Sequence, residues 1–313
     1  MQSAPSAPFL RIGTRGSPLA LAQAHETRAR IAQACDLDVD SIEIVVIRTS
    51  GDRIQDRPLS EAGGKGLFTK EIEEALIAGR IDLAVHSSKD MPTTLPDGLE
   101  ISAFLPREDV RDAFLSPVAA RLDALPKGAV LGTSSLRRRA MALRLRPDLA
   151  VVEFRGNVET RLRKLDEGVA HATLLALAGL NRLGLAAHAT HIIETDEFLP
   201  AVGQGAVAIE TRVDDRRTGD VVGRINHAAT ATSLLTERAF LTRLDGSCRT
   251  PIGGLAMLAA GRVTFRGMVL APDGSRCEAV RIEGPEAEAA AIGLAAADEL
   301  LARGGGDFFR VGA

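Results

Sequence analysis

The sequence predicts an α/β protein with two domains of alternating strands and helices, followed by a small α+β domain. Short apolar strands alternate with helices up to about residue 87, and this alternation restarts near residue 129. From about residue 228 the pattern changes to a hairpin and an Ala-rich helix. Strands that alternate with helices favour a largely parallel sheet covered on both faces. At 313 residues, the chain is also longer than the size at which single cores stop growing, about 250 residues.

The first region is predicted to hold three strands and two helices, the first of which begins at Ser17 as N-cap and Pro18 as the first helical residue. The strands are "FLRIGT" (9–14), "IEIVVIR" (42–48) and "IDLAVHS" (81–87), and the helices are "SPLALAQAHETRARIAQAC" (17–35) and "FTKEIEEALIAGR" (68–80). Between them, "TSGDRIQDRPLSEAGGKG" (49–66) is glycine-rich and aperiodic. Long loops of this kind are more often functional or mobile than structural, so we expect a lid.

The second region repeats this organisation between two charged segments, "PREDVRD" (106–112) and "ETDEFLPAVGQGA" (194–206), which we interpret as the chain crossing between domains. Its strands are "AVLGTSS" and "AVVEF", each followed by an arginine-rich helix, while "ATLLALAGL" (172–180) fits a strand or a helix equally well. In the last region, "RVTFRGMVLAPDGSRCEAVRIEG" is typical of a hairpin with a Pro-Asp-Gly turn.

Charge and composition exclude several classes of protein. The formal net charge of −3 excludes a globally basic nucleic-acid binder, yet the window from Arg137 to Lys164 carries a net charge of +6. Such a window indicates either an anionic ligand or a solvated helix face. Three cysteines without CxxC spacing argue against a disulfide framework or a zinc site. The chain has neither a basic, apolar leader nor a run of about 18 apolar residues, so we expect a cytoplasmic protein that does not enter a membrane.

Charged and hydroxyl groups follow the predicted strands at one end. In open α/β sheets ligands bind beyond the carboxyl ends of the strands, because loops and helix N-termini meet there. The residues at these positions are Arg15, Lys89, Asp90, Ser134, Ser135, Arg137, Arg138 and Arg155. The Gly-Thr-Ser-Ser turn either binds an anion or only caps its helix. Asp90 is either an ion-pair partner or a carboxylate that stabilises positive charge on a substrate.

Nine segments, in order, make the chain resemble the hydroxymethylbilane synthase (porphobilinogen deaminase) family of tetrapyrrole biosynthesis. They are "RIGTRGSPLALAQ", "GGKGLFTKEIE", "AVHSSKDMPT", "REDVRDAF", "GTSSLRRRA", "RGNVETRL", "AGLNRLGL", "LPAVGQGA" and "GSCRTPIGG". The resemblance covers nearly the whole chain. It implies an enzyme that deaminates four porphobilinogen molecules, condenses them head-to-tail onto a covalent dipyrromethane cofactor and releases hydroxymethylbilane by hydrolysis.

The resemblance also implies roles for particular residues. Cys248 would carry dipyrromethane through a thioether, whereas Cys35 and Cys277 are expected to be small buried hydrophobes. Asp90, with Arg15 and Lys89, would be catalytic: Asp90 would hold the pyrrole nitrogens and stabilise the cationic azafulvene formed when ammonia leaves. Cofactor-binding residues would include Lys89, Asp90, Ser134, Ser135, Arg137, Arg138 and Arg155, and substrate-binding residues would be Arg15, Ser17, Lys65, Arg161 and Arg182. No metal is expected.

The family fold implied is two periplasmic-binding-protein-like α/β domains and a C-terminal α+β domain. Domain 1 would be discontinuous, residues 1–107 and 203–224; domain 2 would be 108–202, and residues 225–313 would carry the cofactor cysteine. We expect a monomer that binds no nucleic acid. The sequence departs from the usual family pattern at His171, which we expect to be a satisfied core or edge residue, and at Arg249.

Two lobes around an anion are also the design of a non-catalytic solute-binding protein, which is the alternative. Such a receptor needs neither a reactive cysteine nor an acid within its anion site. A nucleotide enzyme is disfavoured, because both GxxxxGK[ST] and a strand-linked GxGxxG are missing.

Overall fold

The computed structural model describes residues 8–53, 68–244 and 250–304. These divide into two compact units. The first holds 8–53, 68–106 and 206–228, and the second holds 107–205, 229–244 and 250–304. The chain therefore passes from the first unit to the second after residue 106, returns at 206 and leaves again after 228.

The strands and helices follow one another as the sequence patterns indicate, with several additional short strands. The strands are β1 (Leu10–Thr14), β2 (Ile42–Val46), β3 (Leu83–Ser87), β4 (Leu99–Phe104), β5 (Asp112–Leu115), β6 (Val130–Gly132), β7 (Ala150–Val152), β8 (Ala172–Ala176), β9 (His191–Ile193), β10 (Val207–Arg212), β11 (Ile252–Ala259), β12 (Arg262–Leu270) and β13 (Cys277–Pro285). The helices are α1 (Pro18–Cys35), α2 (Ser50–Arg53), α3 (Lys70–Ile77), α4 (Leu136–Leu145), α5 (Val158–Asp166), α6 (Leu177–Arg182), α7 (Arg216–Gly223), α8 (Ala228–Arg243) and α9 (Ala289–Gly304).

The first unit is built on a five-stranded sheet of order β2-β1-β3-β10-β4. Strands β2, β1 and β3 are parallel, and β10 runs antiparallel to both of its neighbours. One face of the sheet packs on α1, with Ala24 and Ile31 in the core, and the other face packs on Ile72 and Leu76 of α3. Both faces are therefore covered, as the unbroken apolar strands predict.

The second unit contains a sheet of the same design, with order β7-β6-β8-β5-β9. Strands β7, β6 and β8 are parallel, and β5 is the antiparallel strand. In both sheets the antiparallel strand directly follows one of the charged segments that the sequence analysis interpreted as crossings. The segment 172–180, for which strand and helix were left open, is both: β8 continues directly into α6.

The second unit also includes a three-stranded antiparallel sheet, β11-β12-β13, covered by α8 and α9. The β12–β13 pair is the predicted hairpin. This sheet also packs against the core around α4, where Leu255 of β11 and Leu270 of β12 pack with Ala140 and Met141.

The predicted fold class, two α/β domains and a small α+β part, is confirmed. No described helix combines the length and the apolar character that a membrane span requires. The predicted domain boundaries stay a prediction.

Candidate functional site

Three predicted site residues of the first unit follow the ends of two neighbouring strands. Strands β1 and β3 are parallel and hydrogen-bonded, so their carboxyl ends lie at the same edge of the sheet. Arg15 directly follows β1, and the 3₁₀ turn Ser88–Asp90 directly follows β3. The topology therefore brings Arg15, Lys89 and Asp90 to one edge, as the rule for open α/β sheets predicts.

Arg15 and Ser17 are positioned by the start of α1. The Arg15 guanidinium carbon lies 4.2 Å from the centre of the Phe68 ring, a cation–π contact that orients the side chain. Ser17 Oγ accepts a hydrogen bond from the Ala20 amide at 3.3 Å and caps α1. Both side chains are half-buried. Ser17 thus has a structural task, which leaves its predicted contact with substrate as a separate proposal.

The turn that carries Lys89 and Asp90 is exposed at these two residues and buried beneath them. Ser88 is 4% exposed, whereas Lys89 and Asp90 are open to solvent. The Ser88 amide donates to Ala206 O at 2.9 Å, and the Met91 amide closes the turn on Ser88 O at 3.2 Å. Asp90 therefore lies exposed on a short turn whose backbone is fixed by hydrogen bonds at Ser88 and Met91.

In the second unit, the Gly-Thr-Ser-Ser turn joins β6 to α4. Ser135 Oγ accepts from the Arg138 amide at 3.4 Å and is the N-cap of α4. Ser134 Oγ accepts from the Phe154 amide at 3.1 Å, which links this turn to the end of β7. The capping alternative is therefore realised for Ser135. A cap does not exclude a ligand, since the other free amides of a helix N-terminus point outward.

Arg137 and Arg138, which were predicted to bind the cofactor, are both buried and both bind an acidic residue of the protein itself. Both are 5% exposed and both bind Asp112, the first residue of β5, which is 0% exposed. Arg137 Nη2 donates to Oδ2 at 2.7 Å, and Arg138 Nη2 donates to Oδ1 at 2.6 Å. Arg138 Nε and Gln204 Nε2 also donate to Oδ1, at 3.2 and 3.0 Å. The physical reason is that two buried guanidiniums require a buried counter-charge.

Asp112 was not among the site residues predicted from the sequence, although it binds two of them. Its burial by itself raises the pKa of the carboxyl, but the two guanidiniums outweigh that effect and lower the pKa to about 2. Two guanidiniums facing one carboxylate leave one positive charge. In addition, Arg137 Nε is buried and has no hydrogen-bond partner among the described residues. The surplus positive charge fits an anionic ligand such as a carboxylate-bearing cofactor. The sequence signals were its position at the start of an apolar run and within the segment "REDVRDAF".

The three remaining arginines are half-buried and lie on the connections after β7 and β8. The backbone carbonyl of Arg155 accepts from Lys164 Nζ at 3.0 Å, and Arg161 Nε donates to Gly156 O at 2.9 Å. Arg182, at the end of α6, donates to Gly205 O at 3.2 Å. Since β7, β6 and β8 are adjacent and parallel, Arg155 and the Ser134–Ser135 turn share one edge of the second sheet.

Cys248, Lys65 and most of the expected lid lie outside the described residues. Cys35 and Cys277 are free thiols and half-buried. Both pack against apolar cores, in line with their expected role as small hydrophobes, and burial raises the pKa of Cys277. His171 is exposed beside β8, where its Nδ1 accepts from the Val130 amide at 2.9 Å. It is the satisfied edge residue that was expected.

Comparison with known proteins agrees with the resemblance. Residues 10–220 match the family described as "Porphobilinogen deaminase, dipyromethane cofactor binding domain", and residues 231–302 match "Porphobilinogen deaminase, C-terminal domain". The chain is 62% identical to a porphobilinogen deaminase of Nitrobacter winogradskyi over 99% of this chain and 98% of that one. Identity to the protein of that name from Paracoccus denitrificans is 58%, covering 96% of each chain.

Among solved structures, a TRAP periplasmic solute binding protein from Desulfovibrio salexigens aligns with a TM-score of 0.43 and 10% identity, over 71% of this chain and 73% of that chain. The two family matches together span most of the chain, and they contain every described residue of the candidate site. The chain therefore belongs to the porphobilinogen deaminase family.

Proposed function

We propose that the protein is a hydroxymethylbilane synthase, a transferase that condenses four porphobilinogen molecules and releases hydroxymethylbilane. Family membership over nearly the whole chain carries this proposal. The non-catalytic solute-binding alternative has no support from the relatives, which are named porphobilinogen deaminases.

The chemistry of the site agrees with the acidic character of the substrate. Each porphobilinogen carries an acetate and a propionate, so the growing chain is a polyanion. The Arg137–Asp112–Arg138 cluster keeps one uncompensated positive charge in a buried setting. A buried cation binds a carboxylate more strongly than an exposed one, because solvent screens the interaction less. We propose that these arginines, with Ser134, Ser135 and Arg155, hold the carboxylates of the cofactor.

Dipyrromethane, when bound through a thioether to Cys248, supplies a free pyrrole α-position to which the first substrate is joined. Asp90, with Lys89, would hold pyrrole nitrogens, and its carboxylate would stabilise the positive charge that develops on the substrate as ammonia leaves. Arg15, Ser17, Lys65, Arg161 and Arg182 would bind substrate carboxylates. Arg15 would also assist departure of the amine.

The remaining features follow from the same proposal. The protein would act in the cytoplasm as a monomer, without nucleic acid or membrane partners. Its three domains would have the boundaries predicted from the sequence.

The test is to incubate the purified protein with porphobilinogen and to measure ammonia release and tetrapyrrole formation. Intact mass spectrometry and acidic Ehrlich reagent should detect a bound dipyrrole, and Cys248→Ser should lack it. Cys277→Ser is the matched control and should keep it. Unmodified protein that does not consume porphobilinogen would overturn the proposal.

A further inference from the structure

A buried cluster of ionisable residues lies in the first unit and has no part in the proposed chemistry. It consists of Glu73 on α3, His86 on β3 and Glu210 on β10, which are 7%, 5% and 0% exposed. His86 Nε2 and Glu210 Oε2 are 3.2 Å apart. Glu210 Oε1 has no hydrogen-bond partner among the described residues. Buried carboxylates are costly unless paired, so an all-apolar cluster would serve stability at least as well.

The His86–Glu210 hydrogen bond is diagonal across two antiparallel strands. In the register of the sheet, His86 faces Ala208 and Glu210 faces Ala84. The bond therefore joins residues two positions apart, and it requires both side chains to be on the same face of the sheet. A slip of β10 by one residue would turn Glu210 to the opposite face of the sheet.

The residue that precedes β10 is hydrogen-bonded to the turn that carries Asp90. Ala206, the residue before β10, accepts the hydrogen bond of the Ser88 amide at 2.9 Å. Ser88 begins the turn that carries Lys89 and Asp90. A continuous series of contacts thus runs from Glu210 through β10 to Ala206, then to Ser88 and the turn.

The opposite face of β3 is held in a comparable way. Gln23 of α1 is 3% exposed, and its amide donates to Ser87 Oγ at 3.0 Å. Residues 86, 87 and 88 are therefore each fixed by a polar contact, to β10, to α1 and to the residue preceding β10. The Ser88 contact continues the backbone pairing of β3 with β10, and the side-chain contacts of His86 and Ser87 are additional to pairing within the sheet.

We propose that the buried His86–Glu210 pair is a positioning device for Asp90, because it fixes the register of β10 against β3. The inference rests on the role of Asp90 in the proposed function. His86 and Glu210 would contact neither substrate nor cofactor, and they would act on Asp90 through the backbone of the turn.

The experiment replaces both partners at once. In His86→Leu/Glu210→Leu, neither member of the pair leaves an unpaired partner behind, so the protein should fold, since apolar replacement of a buried pair is often neutral for stability. The loaded enzyme should show kcat reduced roughly 10-fold to 100-fold, as expected for misplacement by about 1 Å, with a smaller change in KM. Hydrogen exchange at the Ser88 amide should become faster, while that of β12 stays unchanged.

Two single variants complete the test. Glu210→Gln retains an acceptor for His86 and should recover most of the activity and of the Ser88 protection. Glu73→Gln is the control: Glu73 belongs to the same cluster but has no part in the contacts that run from Glu210 to the turn, so activity should not change. Wild-type kcat and unchanged Ser88 exchange in the double Leu variant would overturn the inference. So would altered stability without those two effects.

Failure of the proposed function gives a different pattern. In that case the unmodified protein would not consume porphobilinogen at all, and Asp90→Asn would have no activity to lose. The Ser88 exchange measurement would still report whether the pair sets the register.

Discussion

Arg138 and Asp112 form an ion pair that is almost fully excluded from solvent, with side chains 6% and 0% exposed. Asp112 is bound from its other oxygen by Arg137, whose Nη1 also donates to Leu199 O at 2.7 Å. This carboxylate orients two arginines that the family resemblance assigns to the cofactor. It also ties the start of β5 to the start of α4. The fold of this unit and the proposed cofactor site therefore depend on the same residue.

Replacement of Asp112 by Asn should destabilise the protein strongly. Two buried guanidiniums would lose their counter-charge, and removal of one partner of a buried pair costs about 3–5 kcal/mol. The measurement is the free energy of unfolding from denaturant titration. Asp298→Asn, which disrupts the exposed Arg243–Asp298 pair, is the control and should leave the midpoint nearly unchanged. Equal effects of the two substitutions would contradict the buried network.

The stabilisation from Asp112 should also depend on pH. The folded state lowers the pKa of Asp112 from 3.8 to about 2. A carboxyl whose pKa is lower in the folded state stabilises the protein above its unfolded pKa. This contribution is therefore complete at neutral pH, starts to fall near pH 4 and is lost as the pH falls through about 2. The difference in unfolding free energy between the wild type and Asp112→Asn should shrink over that range. A constant difference would be evidence against it.

The turn between β12 and β13 should be less tolerant of substitution than the turn between β11 and β12. Gly274 and Gly261 have φ values of 74° and 71°, a region that costs other residues about 1–2 kcal/mol. At Gly274 an added Cβ would also lie 2.5 Å from Ala140 O, whereas at Gly261 it would meet nothing within 4 Å. Gly274→Ala should therefore cost about 1–3 kcal/mol more in unfolding free energy than Gly261→Ala. Similar losses would mean that Gly274 does not pack closely against the backbone of α4.

Local sequence patterns predicted the parallel part of each sheet, because β1, β3 and β6 are apolar runs, and β1 and β6 are followed by helices with serine N-caps, Ser17 and Ser135. Strands β5 and β10 escaped prediction. Both strands come at the end of charged segments, and each strand contains a buried acid. The partners of these acids are distant in sequence: Asp112 pairs with arginines about 25 residues away, and Glu210 with a histidine 124 residues away. The sequence shows the charge of a side chain, but it does not show the partner that allows this charge to be buried.

The same limit applies to the site. The rule for strand ends located Arg15, Asp90 and the Ser134–Ser135 turn correctly with respect to the sheets, since it depends only on the order of elements. It could not distinguish arginines that point to solvent from arginines that are locked against a buried acid. For Arg137 and Arg138 the distinction depends on the position of β5, because this strand carries Asp112.

Asp90 should be essential for turnover but not for folding. It is exposed on its turn, so Asp90→Asn should leave the unfolding midpoint unchanged. If its carboxylate stabilises the cation formed as ammonia departs, the neutral amide should reduce kcat roughly 10²-fold to 10³-fold. Ammonia release from the cofactor-loaded enzyme measures this. Asp97→Asn, another exposed aspartate of the same unit, is the control and should turn over porphobilinogen at the wild-type rate. Were Asp90→Asn to retain that rate as well, Asp90 would be only an ion-pair partner, and the positive charge on the substrate would have to be stabilised by another group.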